Sequence, residues 1–195
     1  MNRAADLVLA AFGLVASSPL MALIALAIRL DSPGPVIYRQ RRVGKDGEEF
    51  DLYKFRTMRP GSDPVWIGIA IETGDPRVTR VGRLLRRLSL DELPNLVNVL
   101  RGEMAVVGPR PTIPAQVELY TPRQRRRLEV KPGLTGWAQV SGRVALAWDE
   151  RIELDVWYVD NRSPALDLKI LARTFRLLVT GHGLYSEDPQ GGWPD

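Results

Sequence analysis

Residues 4–30, AADLVLAAFGLVASSPLMALIALAIRL, constrain this chain more than any other stretch. Two apolar runs, Leu7–Ala16 and Leu20–Ile28, flank Ser17-Ser18-Pro19. A spanning helix needs about 20 apolar residues at ~1.5 Å rise each. Neither run spans alone, and the whole carries a polar centre with a proline. Pro19 lacks an N–H and frees a carbonyl one turn back, which hydrocarbon penalises unless another donor takes it. The hydroxyls of Ser17 and Ser18 can act as that donor. The segment reads either as a kinked spanning helix or as a hairpin that enters a membrane and turns back. Arg3 precedes it; Arg29, Arg39, Arg41, Arg42 and Lys45 follow. Positive flanks at both ends favour a cytoplasmic position for both, and so the hairpin. A buried core helix and a cleaved signal peptide are the alternatives. The length of the stretch and the lack of a clean small-residue cleavage site before Arg29 count against the signal peptide.

A chain of 195 residues suits one domain plus a membrane element. It has no cysteine, which excludes disulfides and thiol metal sites. Its one histidine, His182, lies near the C-terminus between two glycines. Acid–base work and metal binding therefore fall to Asp and Glu, whose oxygens suit Mg²⁺ better than zinc. The net charge is +4, and 23 of the 27 basic residues are arginine. Guanidinium forks match phosphates, so the bias suits nucleic acid, anionic lipid or a phosphorylated substrate. The same bias is a compositional habit of GC-rich and thermophilic genomes.

Asp31-Ser32-Pro33-Gly34-Pro35 is a turn that ends the apolar segment. Val36–Arg39 and Glu49–Phe55 read as two strands joined at Gly44 and Gly47. Residues 60–77 are loop-like around an apolar Val65–Ile71 patch. Thr79–Leu88 has helical spacing, with Val81, Leu84, Leu85 and Leu88 on one face and Arg80, Arg83, Arg86 and Arg87 around the other. Such a basic amphipathic helix suits a membrane interface. Leu93–Leu100 continues as a second helix ended near Gly102, and Ala105–Val107 is a short strand. Thr121-Pro122 with Gln124 spells a capping box. Lys131–Gly136 is a rigid turn, and Ser163-Pro164 starts a last helix that stops near Gly181. The pattern is an irregular α/β (α+β) body rather than a regularly wound sheet.

The chemistry concentrates in a few places. Ser89-Leu90-Asp91-Glu92-Leu93-Pro94-Asn95 puts adjacent carboxylates at a helix start. Asp91 or Ser89 can cap that helix, with Glu92 complementing its dipole. A helix start is also where phosphate binds, and two carboxylates there can place Mg²⁺ against a diphosphate or supply a nucleophile. Arg110 stands between Pro109 and Pro111, which stiffen its backbone. Lys54 and Arg56 share one strand face. Asp75-Pro76-Arg77 is a turn whose acid and base can pair with each other.

These motifs, in this order and spacing, resemble the bacterial sugar transferase family, the monotopic phosphoglycosyl transferases in their small single-domain form. The resemblance runs from the Ser18-Pro19 break through Tyr53–Met58, Asp75-Pro76-Arg77 with Thr79, Leu90–Pro94, Val107–Pro111 and Lys131–Trp137 to Gly142-Arg143. It implies transfer of a sugar-1-phosphate from a UDP-sugar to a polyprenyl phosphate with release of UMP. It further implies Asp91 as nucleophile of a covalent phosphosugar intermediate, and Glu92 as its partner carboxylate at Mg²⁺. Ser18 and Pro19 match the hinge of a re-entrant membrane helix. Arg110 matches a phosphate-binding arginine, and Lys54, Arg77 and Arg143 lie in matching motifs. Ser141 departs from the asparagine expected before Gly-Arg.

The expectation is a membrane-anchoring re-entrant hairpin over 1–30, a cytoplasmic mixed α/β catalytic domain with interfacial amphipathic helices over 31–187, and a flexible tail over 188–195. The site is Asp91 and Glu92 with Mg²⁺, and Lys54, Arg77, Arg110 and Arg143 on the phosphates. The place is the inner membrane of a bacterium, at the first membrane step of glycoconjugate synthesis. The rival readings are a non-enzymatic binder of anionic lipid and a nucleic-acid binder. The apolar segment and the lack of a nucleic-acid motif disfavour the second.

Overall fold

The computed structural model describes residues 2–62, 75–142 and 146–180. Arg143, the Val65–Ile71 patch, His182 and the 188–195 tail lie outside them.

The apolar segment forms one helix, α1 (Arg3–Asp31), with Pro19 in its interior. It is long and apolar enough to cross a membrane by length and composition. The helical assignment runs unbroken through Ser17-Ser18-Pro19. The local chemistry explains why. Pro19 cannot bond the Val15 carbonyl, and the Ser18 hydroxyl donates to that carbonyl instead, at 2.8 Å.

One face of α1 lies on the rest of the chain. Asp6, Ala10, Ile24 and Ile28 are buried, and Gly13 faces Leu96. The opposite face carries Val8, Phe12, Val15, Leu23, Leu26 and Leu30, all exposed. Both ends are held. Arg3 donates to the Val99 and Leu100 carbonyls at 2.6 and 2.9 Å. At the far end the Asp31 carboxylate accepts from the Val81 amide at 3.0 Å.

Two strands follow, β1 (Ile37–Val43) and β2 (Glu49–Phe55), paired antiparallel with Ile37 opposite Phe55 and Val43 opposite Glu49. β1 runs four residues beyond the expected Val36–Arg39 because its charged residues ladder with β2 instead of entering the turn. Gly47, at φ +84, closes that turn. Phe50 and Leu52 pack on Ala10, Val99 and Met104, which joins the hairpin to α1.

Helix α2 (Arg80–Arg87) is capped by Thr79, whose hydroxyl accepts from the Gly82 amide at 2.9 Å. Gly82 rests against the Thr57 backbone, where a side chain would collide. Leu85 is buried with Ile24, Ile28 and Phe55, while Leu84 and Leu88 stay exposed. A 3₁₀ turn (Leu90–Glu92) leads to α3 (Asn95–Arg101), which Gly102 ends at φ +86.

Strand β3 (Ala105–Val107) pairs in parallel with β4 (Gly133–Thr135). β4 arises from the segment expected to be only a turn. Gly108 and Gly133 let the two backbones meet there without a side chain between them. Between these strands lie α4 (Pro114–Glu118), α5 (Pro122–Arg125) and a 3₁₀ turn (Arg126–Glu129). The capping box at α5 is present in both directions: Gln124 N to Thr121 Oγ1, and Thr121 N to Gln124 Oε1.

Three helices close the described chain: α6 (Trp137–Ser141), α7 (Trp148–Asn161) and α8 (Pro164–Thr180). α7 buries Ile152 and Val156 against Tyr120 and Trp148. α8 buries Ile170 with Val107 and Tyr158. It leaves Leu168, Phe175 and Val179 exposed. The mixed α/β body expected from the sequence is present, with small sheets and long helices.

Candidate active site

The two adjacent carboxylates do not cap a helix. Ser89 adopts the left-handed conformation at φ +55 and makes no capping bond. That conformation is costly for a residue with a side chain. It turns the chain sharply out of α2, so that Asp91 and Glu92 project from the short turn before α3. Pro94 sits at the start of α3, where its missing N–H costs nothing.

Glu92 is the centre of a small ionic cluster. Its Oε1 accepts from Lys54 Nζ at 2.7 Å and from Arg110 Nη2 at 3.0 Å. Lys54 comes from β2 and Arg110 from the loop after β3, so three separate segments meet at one oxygen. The Lys54 and Glu92 side chains are 16% and 21% exposed, against 52% for Arg110. Burial pushes the Glu92 carboxyl up, but Lys54 and Arg110 outweigh it and hold the group well below the usual carboxylate range. Burial also draws the Lys54 ammonium below its ordinary value, against the pull of Glu92.

Asp91 differs from its neighbour. Among the described residues its carboxylate has no hydrogen bond or ion pair. Burial, then the Glu92 charge, raise its pKa above 3.8, while Lys54, Arg86 and Arg110 offset this only in part. One carboxylate is locked to cations and the other has no partner among the described residues. Environments that push two acids apart in this way assign them different roles.

Behind the cluster lies a small, open pocket lined by Arg42, Lys54, Glu92, Asn95, Arg110 and Gly133 among others. Asn95 Oδ1 and Arg42 Nε are buried there without a hydrogen-bond partner. Burial, then the nearby Arg110 charge, lower Arg42 to about 10. Sequence reading missed both residues. Asn95 stands one helical turn after Asp91, a spacing that offered a signal. Arg42 is one of several basic residues in β1, with nothing to mark it.

The other expected site residues fare differently. Arg77 clasps Asp75 in a bidentate pair, with Nη2 to Oδ2 at 2.7 Å and Nε to both oxygens at 3.1 Å. It takes no part in the Glu92 cluster. Arg56 does not share the work of Lys54. The strand ends at Phe55, and Arg56 is buried, donating to the Ser32 and Pro33 carbonyls that close the turn after α1. Ser18 and Pro19 lie in α1 as described, and Arg143 falls outside the described residues.

The family model described as bacterial sugar transferase matches residues 1–181. The chain belongs to the bacterial sugar transferase family. Among its relatives is EpsL of Bacillus subtilis (strain 168), named an uncharacterized sugar transferase. It is 47% identical over 184 residues, 94% of this chain and 90% of that protein. The exopolysaccharide production protein ExoY of Sinorhizobium fredii (strain NBRC 101917 / NGR234) is 39% identical over 198 residues, covering 94% of this chain and 88% of ExoY. The UDP-glucose:undecaprenyl-phosphate glucose-1-phosphate transferase of Escherichia coli (strain K12) is 45% identical over 184 residues. The match covers 89% of this sugar transferase and 39% of that longer protein.

Proposed function

We propose that this transferase moves a sugar-1-phosphate from a UDP-sugar to a polyprenyl phosphate and releases UMP. The observation that carries the reading is the Asp91 carboxylate, without a hydrogen bond or ion pair among the described residues, beside the Lys54–Glu92–Arg110 cluster. Its relative from E. coli bears this activity in its name.

Asp91 is the nucleophile in this reading. One of its oxygens attacks the phosphorus that carries the sugar, and the bond from that phosphorus to the bridging oxygen breaks. UMP leaves with the electron pair. The acceptor's phosphate oxygen then attacks the aspartyl-phosphosugar and frees the Asp91 carboxylate. A carboxylate is ionised at neutral pH, so no base is needed to prepare it. Its approach to an anionic diphosphate requires cations, which Lys54 and Arg110 supply. Arg77 and Arg143 extend the phosphate-binding set in the proposal.

The site suits Mg²⁺. Asp91 has no partner among the described residues, Glu92 keeps one oxygen beyond the one that Lys54 and Arg110 share, and Asn95, which lines the same pocket, has a buried, unpaired Oδ1. Mg²⁺ is typically held by one or two carboxylates, with substrate phosphates and water completing its shell. When bound, it polarises the diphosphate and steadies the leaving UMP.

A lipid acceptor places the enzyme on a membrane, which α1 fits. Its outward stripe of Val8, Phe12, Val15, Leu23, Leu26 and Leu30 is apolar, and α8 adds Leu168, Phe175 and Val179. Arg3 and Asp31, at opposite ends of α1, are held by the same body. That supports attachment from one side, the re-entrant arrangement with Ser18-Pro19 at its centre, in the inner membrane facing the cytoplasm. Residues 31–187 then form the catalytic domain.

The test is UMP release across a panel of UDP-sugars with undecaprenyl phosphate and Mg²⁺. Asp91→Asn is expected to lower turnover by about 10⁴-fold with the fold intact. With donor alone, intact-mass analysis is expected to find a phosphosugar adduct on the wild type and none on the variant. Near-native activity in Asp91→Asn would overturn the assignment.

A further inference from the structure

Residues Pro109–Thr112 carry Arg110 to the site, and two of the four are prolines without an N–H. The loop is gripped through its carbonyls instead. Pro109 O accepts from Gly133 N at 2.8 Å, and Thr112 O accepts from Val43 N at 2.8 Å. Between them, Arg110 O accepts from Arg127 Nη2 at 3.0 Å and Pro111 O from Arg42 Nη1 at 3.1 Å. Four consecutive carbonyls are each held, the middle two by guanidinium groups.

Arg127 is the more deeply embedded of those two. Its side chain is 7% exposed and pairs with Asp155 of α7, which is 2% exposed. Its Nη1 donates to the Tyr120 hydroxyl at 2.6 Å. Tyr120 donates on to Thr112 Oγ1 at 2.8 Å, and Thr112 to Gln116 Oε1 at 2.7 Å. Arg127 thus holds the loop at Arg110 directly and at Thr112 through Tyr120.

Stability alone is a poor reason for this arrangement. Desolvating two charges costs several kcal/mol per ion by general estimate, and apolar residues of similar shape often serve as well or better. Asp155 Oδ1 is also left without a partner. What an apolar residue cannot do is donate in one plane to a carbonyl, a hydroxyl and a carboxylate at once. The guanidinium fork does.

We propose that Arg127, backed by Asp155 and Tyr120, is a positioning residue that fixes the direction in which Arg110 leaves its loop, and so its reach to the substrate diphosphate. The proposal rests on the reading of Arg110 as a phosphate-binding group. Arg127 touches no reacting atom; it acts through the Arg110 backbone.

A double-mutant cycle tests it. UDP binding is measured by calorimetry in wild type, Arg127→Lys, Arg110→Ala and the double variant. Lysine keeps the charge opposite Asp155 but cannot serve three acceptors in a plane. Arg127→Lys is expected to weaken UDP binding about tenfold when Arg110 is present, and less than about twofold when it is absent, since coupled residues are non-additive. Asp155→Asn, which keeps the shape and one acceptor, is expected to show the same pattern at about threefold and covers the case in which Arg127→Lys fails to fold. Equal losses with and without Arg110, or no loss at all, would overturn the proposal. The same cycle in kcat/KM for UMP release separates it from the broader reading. Coupled UDP binding with no UMP release from any donor supports the positioning role and sinks the activity. UMP release with additive losses sinks the positioning role alone.

Discussion

Arg110 stands between two carboxylate–cation clusters of the same chemistry, buried to different depths. Its guanidinium reaches Glu92 beside Lys54, and its carbonyl is held by Arg127, itself paired with Asp155. The first cluster opens to solvent through Arg110, whereas both side chains of the second are buried. A cluster that substrate can enter has to hold its charges loosely enough to exchange partners. A closed one trades that freedom for fixed geometry. The electrostatics diverge accordingly. The Glu92 carboxyl lies well below its ordinary range despite burial, because two cations face it. Burial lifts Asp155 to about 6 even with Arg127 alongside.

The sharpest way to break this comparison is to remove one cation from each cluster. Arg127→Met strands a buried carboxylate and is expected to cost about 3–5 kcal/mol of stability, read by chemical denaturation. Arg110→Met is expected to cost clearly less stability than Arg127→Met, since Lys54 still faces Glu92, while lowering UMP release by about 100-fold, as loss of a charge-stabilising donor does. If the two variants behaved alike, the distinction between an open and a closed cluster would fail.

The pH profile comes next in size. In the proposed reaction Asp91 attacks as a carboxylate, and it titrates above its ordinary 3.8. Lys54 must be charged and titrates below its ordinary 10.5. UMP release is expected to fall at both ends, with the acid limb displaced upward from 3.8 and the alkaline limb displaced downward from 10.5. Lys54→Arg, which stays protonated, should remove the alkaline limb and leave the acid one.

A smaller effect has opposite signs at the two carboxylates. The folded state lowers the Glu92 pKa below its ordinary 4.5, so that ionised group stabilises the fold above about pH 4.5 and loses this as pH falls. The folded state raises Asp155 above its ordinary 3.8, so the fold gains from that group as pH falls through about 6. The melting-temperature deficit of Glu92→Gln should therefore shrink between pH 7 and pH 4, and that of Asp155→Asn should grow. Two slopes of the same sign would refute the assignment. Smallest of all, Arg123→Ala breaks an exposed pair with Glu153 and should change neither melting temperature nor activity.

Local rules carried far along this chain. The β2 boundaries, the Ala105–Val107 strand, the Thr121 capping box and the Gly102 stop depend on neighbours a few residues apart, and each is found where the sequence places it. The same holds for the Ser18 hydroxyl that satisfies the carbonyl freed by Pro19. The errors occur where a distant segment intervenes. Lys131–Gly136 looks like a turn until β3 arrives to pair with it. Arg56 looks like a partner of Lys54 until the turn after α1 claims it. α7 carries no strong start signal in its sequence, and its core partners Tyr120 and Val117 come from another helix and the turn after it.

Residue types and their order were enough to nominate Asp91, Glu92, Lys54 and Arg110, because the chemistry of a diphosphate demands carboxylates and cations together. Sequence also determined that residues 4–30 would be helical and apolar. Tertiary structure decided which acid is locked and which is left free, since that depends on Lys54 and Arg110 arriving from segments 38 and 18 residues away. It also decided that Arg127 and Asp155 matter. Their bond spans 28 residues, and burial, which no local pattern encodes, turns an ordinary surface pair into a fixed support for Arg110.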